Sequence, residues 1–386
     1  MAEPLGSYLL ISLPKTQNLL HDETQEWLET NVNGGKVSVT NVEVPEFKIG
    51  TLDTLMQQTE EISKLDNQLN QAVNKVLEII QTVFDRNPAF VEQAKQVEGR
   101  SVIDYLENFK WNTSKYRTDR SIRQLIDTIS LDGLNLDNEV KATFQNYNSA
   151  KSNLAAAERK RTGDLTVKSL HDIVDESDFV LDSDHLQTVL LVIPKNLVHS
   201  FLNTYESVVP FVVPRSAKKI TADSEFLLYS VILFKKYVPE FLAAARENKW
   251  INREFNYDEE SIKLLRNEYN DASTQEHSLR NDLIRLVKAA YADIVSSWLH
   301  IKILRTFIES VLRYGIPPDF SYFLLKLPHK AIEKGKSQLV EKFGYLGGAA
   351  VGVDRRGKIV KDSLHEYASL VDTDYQPFVL YELEIN

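Results

Sequence analysis

Between Pro239 and Gly315 the chain contains neither glycine nor proline, and from Asp258 to Tyr314 it reads as helix without a break. At 1.5 Å per residue, ~57 helical residues run about 85 Å, well beyond the diameter of a small domain. Most helices in globular proteins make three or four turns, so length alone predicts a rod. The apolar pattern changes along it. Ile262, Leu265, Tyr269, Ala272, Leu279, Leu283 and Leu286 keep heptad-like spacing, with Glu276 as a miss. That is a seam wide enough for one partner helix. From Leu286 the stripe widens to take in Val287, Ala290, Tyr291, Ile294, Val295, Trp298, Leu299, Ile301, Leu304, Phe307, Ile308, Val311 and Leu312. A helix apolar over that much of its circumference packs on several sides.

The rest of the chain supplies what such a rod would join. Residues 1–50 read as a small α/β unit. Ser7–Leu13 is a strand stopped by Pro14, a short helix follows, and Lys36–Val42 alternates as a second strand after Gly34-Gly35. Thr51 is placed to cap a helix running to about Phe84 with Leu52, Leu55, Ile62, Leu69, Val73, Val76, Ile80 and Val83 inward. A loop with Pro88 and Gly99 leads to a second helical segment near Ser101–Leu131, ended by Asp132-Gly133. A third runs from about Asn135 to Thr162, where Gly163 is placed to terminate it. Residues 164–257 then read as strand, helix, two strands, helix and strand, the order of a ferredoxin-like α/β sandwich. After the rod come the strand Ser321–Leu327, a helix over Ala331–Phe343 and a last strand over Pro377–Leu383.

The two ends of the chain each supply too few strands to bury a sheet alone, so they are expected to share one body. The fold class that follows is α+β, an elongated dumbbell with two α/β globular ends joined by a long antiparallel helical neck. Residues 1–134 form the N-terminal part of a foot, 135–163 neck helix 1, 164–257 a head, 258–286 neck helix 2, and 287–386 the C-terminal part of the foot. Tyr8–Lys15, Val189–Lys195 and Tyr322–Lys330 also form a near-repeat. Each is an apolar strand, a proline, then lysine at or just after it, as related βα units would show.

Chemistry is hard to find. With no cysteine, disulfides and thiolate nucleophiles are excluded, which fits a cytosolic protein. Met1–Leu13 lacks the features of a signal peptide, and no apolar run approaches the ~20 residues of a membrane span. A net charge of −10 argues against nucleic acid as the main partner. Gly352–Lys358 has the spacing of a phosphate-binding loop. It ends in Ile359 where Ser or Thr should hold Mg²⁺, and it reads as a polar turn. Asp182/Asp184 and Asp372/Asp374 read as turns and not as metal ligands. The histidines form no metal-binding pair, and His300, beside Trp298–Leu299, reads as a structural or interface residue. Adjacent carboxylates such as Glu60-Glu61 and Glu259-Glu260 diverge on a helix. Arg159-Lys160-Arg161 and Arg355–Lys358 read as solvated helix-end and turn residues. No catalytic residue, cofactor or metal is expected. The long separation of two globular ends is the informative feature, and it suggests a linker.

Several blocks resemble the C-subunit family of the vacuolar-type proton-translocating ATPases (V-ATPases), in its fungal form. They are Pro45–Asp53, Phe109-Lys110-Trp111, Asn153–Lys160 with Gly163 and Leu165, Val180–Ser183, Leu233–Lys236 and Ala245–Lys249. The most specific block is His300–Arg305 with Glu309–Pro317, in which Ile303 stands where the family usually has alanine. The loop Asp85–Gly99 matches no part of the pattern.

The resemblance implies a non-catalytic stator component that braces the peripheral stalks of a rotary proton pump against torque. It implies a head held by one heterodimer of stalk subunits E and G. The foot would join a second E–G heterodimer and the cytosolic N-terminal domain of membrane subunit a. It also implies reversible assembly at the cytosolic face of the vacuolar membrane and other acidic organelles, with no direct membrane insertion. Partner contacts are then expected among Lys235, Lys236, Tyr237 and Arg253 in the head, and Phe47, Lys48, Arg313 and Tyr314 in the foot. Lys302 and Arg305 are candidates for salt bridges along their own helix. The rival class is a coiled-coil cytoskeletal or membrane-tethering linker.

Overall fold

The computed structural model describes residues 6–16, 19–171, 173–181, 183–255, 259–350 and 376–385. Its elements begin with β1 (Gly6–Pro14), α1 (His21–Asn31), β2 (Ser38–Asn41), α2 (Leu52–Val83), α3 (Pro88–Ala94) and α4 (Val102–Glu107). They continue with α5 (Ile122–Thr162), β3 (Leu186–Pro194), α6 (Val198–Thr204), β4 (Lys218–Ala222), β5 (Phe226–Phe234), α7 (Val238–Glu247) and β6 (Ile251–Arg253). Last come α8 (Glu259–Tyr314), β7 (Phe320–Leu327), α9 (Ile332–Phe343) and β8 (Val379–Ile385). The chain divides into two compact units, Met1–Ala142 with Leu283–Asn386, and Thr143–Asp282.

In the first unit, strands from opposite ends of the chain make one antiparallel sheet in the order β2-β7-β1-β8. β1 lies between β7 and β8 and is buried on both faces, which explains its unbroken apolar run. On one face Leu9, Ile11, Phe323 and Leu325 pack with Leu28 of α1 and with Ile332, Leu339 and Phe343 of α9. On the other, Leu10, Leu324 and Leu383 face Leu106 of α4 and Leu299 and Ile303 of α8. In the widened stripe of α8, Val287, Ala290, Tyr291, Ile294, Val295, Trp298, Leu299, Ile301, Leu304, Phe307, Ile308 and Val311 are buried, and Leu312 is half-buried. Thr51 caps α2 as expected, its side chain accepting from Thr54 N. Leu52, placed inward by the sequence rhythm, is exposed.

The helix expected over Ser101–Leu131 does not exist as such. α4 ends at Glu107, and α5 starts at Ile122 and runs through Gly133 without interruption. The glycine has a different purpose from the stop expected of it. A Cβ at position 133 would lie 2.5 Å from Leu69 Cδ2 and 3.2 Å from Ser297 Cβ. At Gly133 α5 lies tight against side chains of both α2 and α8, and no left-handed residue follows it to end the helix. The Pro88 loop likewise holds a helix, α3, capped by Asn87 with Pro88 in its first turn.

In the second unit β3, α6, β4, β5, α7 and β6 build an antiparallel sheet in the order β4-β5-β3-β6, the ferredoxin-like arrangement expected from the element order. Val189, Leu191, Ile193, Val231 and Leu233 pack under Phe201 of α6 and Phe241 of α7. On the opposite face Leu190, Val192 and Leu228 are covered by Leu165, Leu170 and Val174. Tyr147, Ala150 and Ala157 form a narrow buried seam along the α5 residues of this unit. Glu276, the miss in the α8 pattern, is buried too, and with burial its charge raises the Tyr147 pKa.

The two sheets have the same topology. β1-α1-β2 and β7-α9-β8 in the first unit correspond to β3-α6-β4 and β5-α7-β6 in the second, with equivalent strand order. In the first unit the halves of this plan are separated by everything from α2 to α8. At three of the strand-to-helix corners the chain passes through the same single 3₁₀ turn. The residue before it is Pro194 (φ −60°, ψ 140°), Phe234 (−69°, 134°) or Pro328 (−59°, 139°). The turn's last residue is Leu197 (−103°, −4°), Tyr237 (−102°, 2°) or Ala331 (−101°, −5°).

Candidate interaction surfaces

Polar groups that looked available for chemistry are bound up within the fold. His300 is fully buried, and the aromatic rings of Phe109, Trp111 and Tyr116 lie within 5.0 Å of it. Its Nδ1 donates to Ser296 O at 2.7 Å, and its Nε2 accepts from Asn112 N at 3.1 Å. Burial holds its pKa down at about 4, so it is neutral and structural at physiological pH. Glu60 pairs with Lys64 at 2.6 Å. In the basic run at the end of α5, Lys160 pairs with Glu268 at 2.5 Å and Arg161 lies over the Tyr269 ring, so these are contacts to α8 and not a free cluster. Among the described residues no three acids or histidines are grouped to hold a metal ion, and no helix is long and apolar enough to cross a membrane. The phosphate-loop-like stretch Gly352–Lys358, Arg355-Arg356, Asp182 and Asp372/Asp374 lie outside the described residues.

Lys302 and Arg305 do not bridge along α8. Both reach across to α2, where Asp66 is 1% exposed. The Asp66 carboxylate accepts from Lys302 Nζ at 2.6 Å, Arg305 at 2.7 Å and Trp298 Nε1 at 3.0 Å. Helical spacing aligns Trp298, Lys302 and Arg305 on one face of α8. Asp66 is the carboxylate that takes all three, and it pins α2 to that face.

The residues expected at partner contacts separate into two kinds. Phe47 is buried against Trp111 and Phe307. Tyr314 donates to Ser12 O at 2.8 Å and accepts from Val379 N at 3.0 Å, and burial raises its pKa to about 12. Arg313 donates to Gln376 O, and Arg253 donates to Leu165 O and Lys168 O, holding the loop after α5 against the second sheet. These four side chains hold their own units together. Lys48, Lys235 and Lys236 are exposed, and Tyr237 is half-buried.

The structure brings to Lys235–Tyr237 a further group that is distant in the sequence. Phe211 is 58% exposed and stacks on Tyr237, with centroids 4.9 Å apart and planes 20° apart. Phe234, 40% exposed, meets Phe211 edge-on at 5.9 Å. Lys236 Nζ lies 5.6 Å from the Tyr237 ring centre. Phe211 sits in the left-handed region at φ +66°, unusual for a bulky side chain. It is held there because Phe234 N donates to its carbonyl and Val212 bridges to Leu233. The signal in the sequence was the apolar run Phe211-Val212-Val213 bracketed by Pro210 and Pro214.

Known proteins match the chain from end to end. The family model for the C subunit of the V-ATPase matches residues 8–379. The C subunit of the V-type proton ATPase of Saccharomyces cerevisiae is 49% identical, covering 98% of each chain. The C 1-B form of Danio rerio is 34% identical and the C 1 form of Xenopus tropicalis 32%, each covering 99% of both chains. At that identity and coverage the chain belongs to the V-ATPase C-subunit family.

Proposed function

We propose that the chain is a non-catalytic stator component of the soluble sector of a V-type proton pump, acting at the cytosolic face of the vacuolar membrane and other acidic organelle membranes. The observation that carries this reading is the 49% identity to the yeast protein over 98% of both chains. In this reading the first unit is a foot and the second a head, and α5 and α8 form an antiparallel neck between them, giving a dumbbell. The head is held by one E–G stalk heterodimer. The foot joins a second heterodimer and the N-terminal domain of subunit a. Two long helices crossing from one unit to the other, each unit with its own sheet and core, support a part that transmits force over distance.

The docking contacts are proposed at Lys235, Lys236 and Tyr237 in the head and at Lys48 in the foot. Phe47, Arg253, Arg313 and Tyr314 are engaged within their own units. Reversible assembly follows if at least one end docks through a modest, polar interface. Affinity capture of the tagged chain from cells tests the reading. Subunits E, G and a should co-purify with it, and its deletion should leave organelles unacidified. Recovery of cytoskeletal or coat proteins in place of E and G would overturn the stator reading.

A further inference from the structure

Within the second unit α5 and α8 run antiparallel, tied by Lys160 with Glu268 and by Arg161 over the Tyr269 ring. Of residues 143–162 in α5 only Tyr147, Ala150 and Ala157 are buried, and of residues 267–282 in α8 only Glu276. The one buried position that this part of α8 brings to the seam is therefore a carboxylate, while Tyr269, Ala272 and Leu279 are half-buried. The charges of Glu276 and Arg280, one turn apart on α8, both reach the Tyr147 hydroxyl of α5. Replacing a buried ionic group by a well-packed apolar one is often neutral or stabilising, so stability does not account for Glu276.

The apolar part of the seam leaves the alignment of the two helices open. Ala150 and Ala157 are one heptad apart, so sliding α5 by a heptad, about 10 Å along its axis, sets one alanine where the other was. The Lys160–Glu268 pair is largely solvated and adds little to prevent this. What a slide cannot reproduce is the partner of Glu276. The positions one heptad before and after Tyr147 are Val140 and Leu154, and neither carries a hydroxyl. In either slipped register the buried carboxylate lies against an aliphatic side chain with its acceptor capacity unmet. We infer that Glu276, together with Arg280 and Tyr147, fixes the register of α5 against α8. It is a positioning residue, and it performs that role at a cost in stability, as a lone polar residue in a coiled-coil seam does. The inference goes beyond the stator reading and holds whatever the two ends of the chain bind.

The chain has no cysteine, so the full-length protein can be spin-labelled cleanly through N146C and D271C, two exposed positions staggered along the paired helices. Pulsed electron–electron double resonance then reads the register as a distance. With Glu276 in place one narrow distance is expected. E276L should keep or raise the thermal midpoint while broadening that distance, or adding a second one displaced by up to about 10 Å. E276Q keeps the size of the side chain and an oxygen that can accept from Tyr147, so it should retain the single distance. Y147L should lower the midpoint by leaving the carboxylate unpaired, and E276L added to it should restore the midpoint. A single unshifted distance in E276L would show that other contacts set the register, and the inference would fall. It would fall equally if E276L lowered the midpoint, because the carboxylate would then be stabilising in its own right. A broad distance with Glu276 present, or a Y147L midpoint equal to wild type, would also overturn it.

Discussion

Replacing Asp66 by asparagine changes one atom and removes the carboxylate that Lys302 and Arg305 share. The side chain keeps its volume and an oxygen for Trp298 Nε1, so any loss of stability reports the charge and not a cavity. Asp66 is 1% exposed, and the Lys302 and Arg305 side chains are 10% and 19% exposed. Removing one partner of so buried an ion pair costs about 3–5 kcal/mol, because the remaining charge stays desolvated. Desolvation already pushes Lys302 below the usual lysine range, and Asp66 opposes that shift.

In D66N that opposition is gone, so the lysine can escape by losing its proton. Holding an ordinary lysine neutral costs about 5 kcal/mol at pH 7 and about 2 kcal/mol at pH 9. For a base whose folded pKa is depressed, stability rises with pH between the folded and unfolded values. The D66N penalty should therefore shrink from pH 7 to pH 9. K302M added to D66N should recover part of the loss at pH 7. Urea denaturation with amide hydrogen exchange tests this, exchange being needed because two units need not unfold as one. Protection should fall in β1 and β7 and hold in β3 and β5. A penalty below about 1 kcal/mol, or one unchanged by pH, would refute a desolvated charge cluster.

Three further outcomes are expected. His300 has a folded pKa of about 4 against an ordinary 6.5, so the unfolded chain takes up its proton first as pH falls. Stability should drop between pH 6.5 and 4 by about 3 kcal/mol from this group, and urea midpoints for H300Q should show a correspondingly smaller acid slope. G133A should destabilise the first unit by about 1–2 kcal/mol in chemical denaturation although alanine favours helix, because its Cβ meets Leu69 and Ser297. A stabilised G133A would show that the helices can part there. A272P breaks α8 among the residues of the second unit at a local cost of about 3 kcal/mol. It should leave exchange protection in both sheets intact while lowering ATP-driven acidification by the assembled pump, and collapse of protection in both units would contradict a neck.

Helix α8 shows how far residue order alone carries. A stretch free of glycine and proline specifies a long helix, and the width of its apolar stripe specifies how many sides are covered. Both are local properties, and the large apolar positions from Val287 to Val311 are buried as that width requires, with Leu286 and Leu312 at its ends half-buried. Glycine was harder to read. Gly133 resembles a helix stop in sequence, but the steric reason for it lies on α2 and α8, at Leu69 and Ser297, both far from it along the chain. The same holds for Asp66, whose two cations and indole donor lie more than two hundred residues away. The candidate surface was half legible. Lys235, Lys236 and Tyr237 could be nominated from their own stretch, whereas Phe211 joins them only because the loop before β4 is hydrogen-bonded to β5.

Local order determined the kinds of element, the two strand–helix–strand plans and, through the family blocks, the lineage of the chain. Tertiary structure decided the pairing of β1 with β7 and β8, the passage of α5 through Gly133, and the meeting of Phe211 with Tyr237. Periodicity along a chain encodes which face of an element is buried. It does not encode which distant surface buries it, because any complementary apolar face gains the same free energy per unit area until packing and register select one.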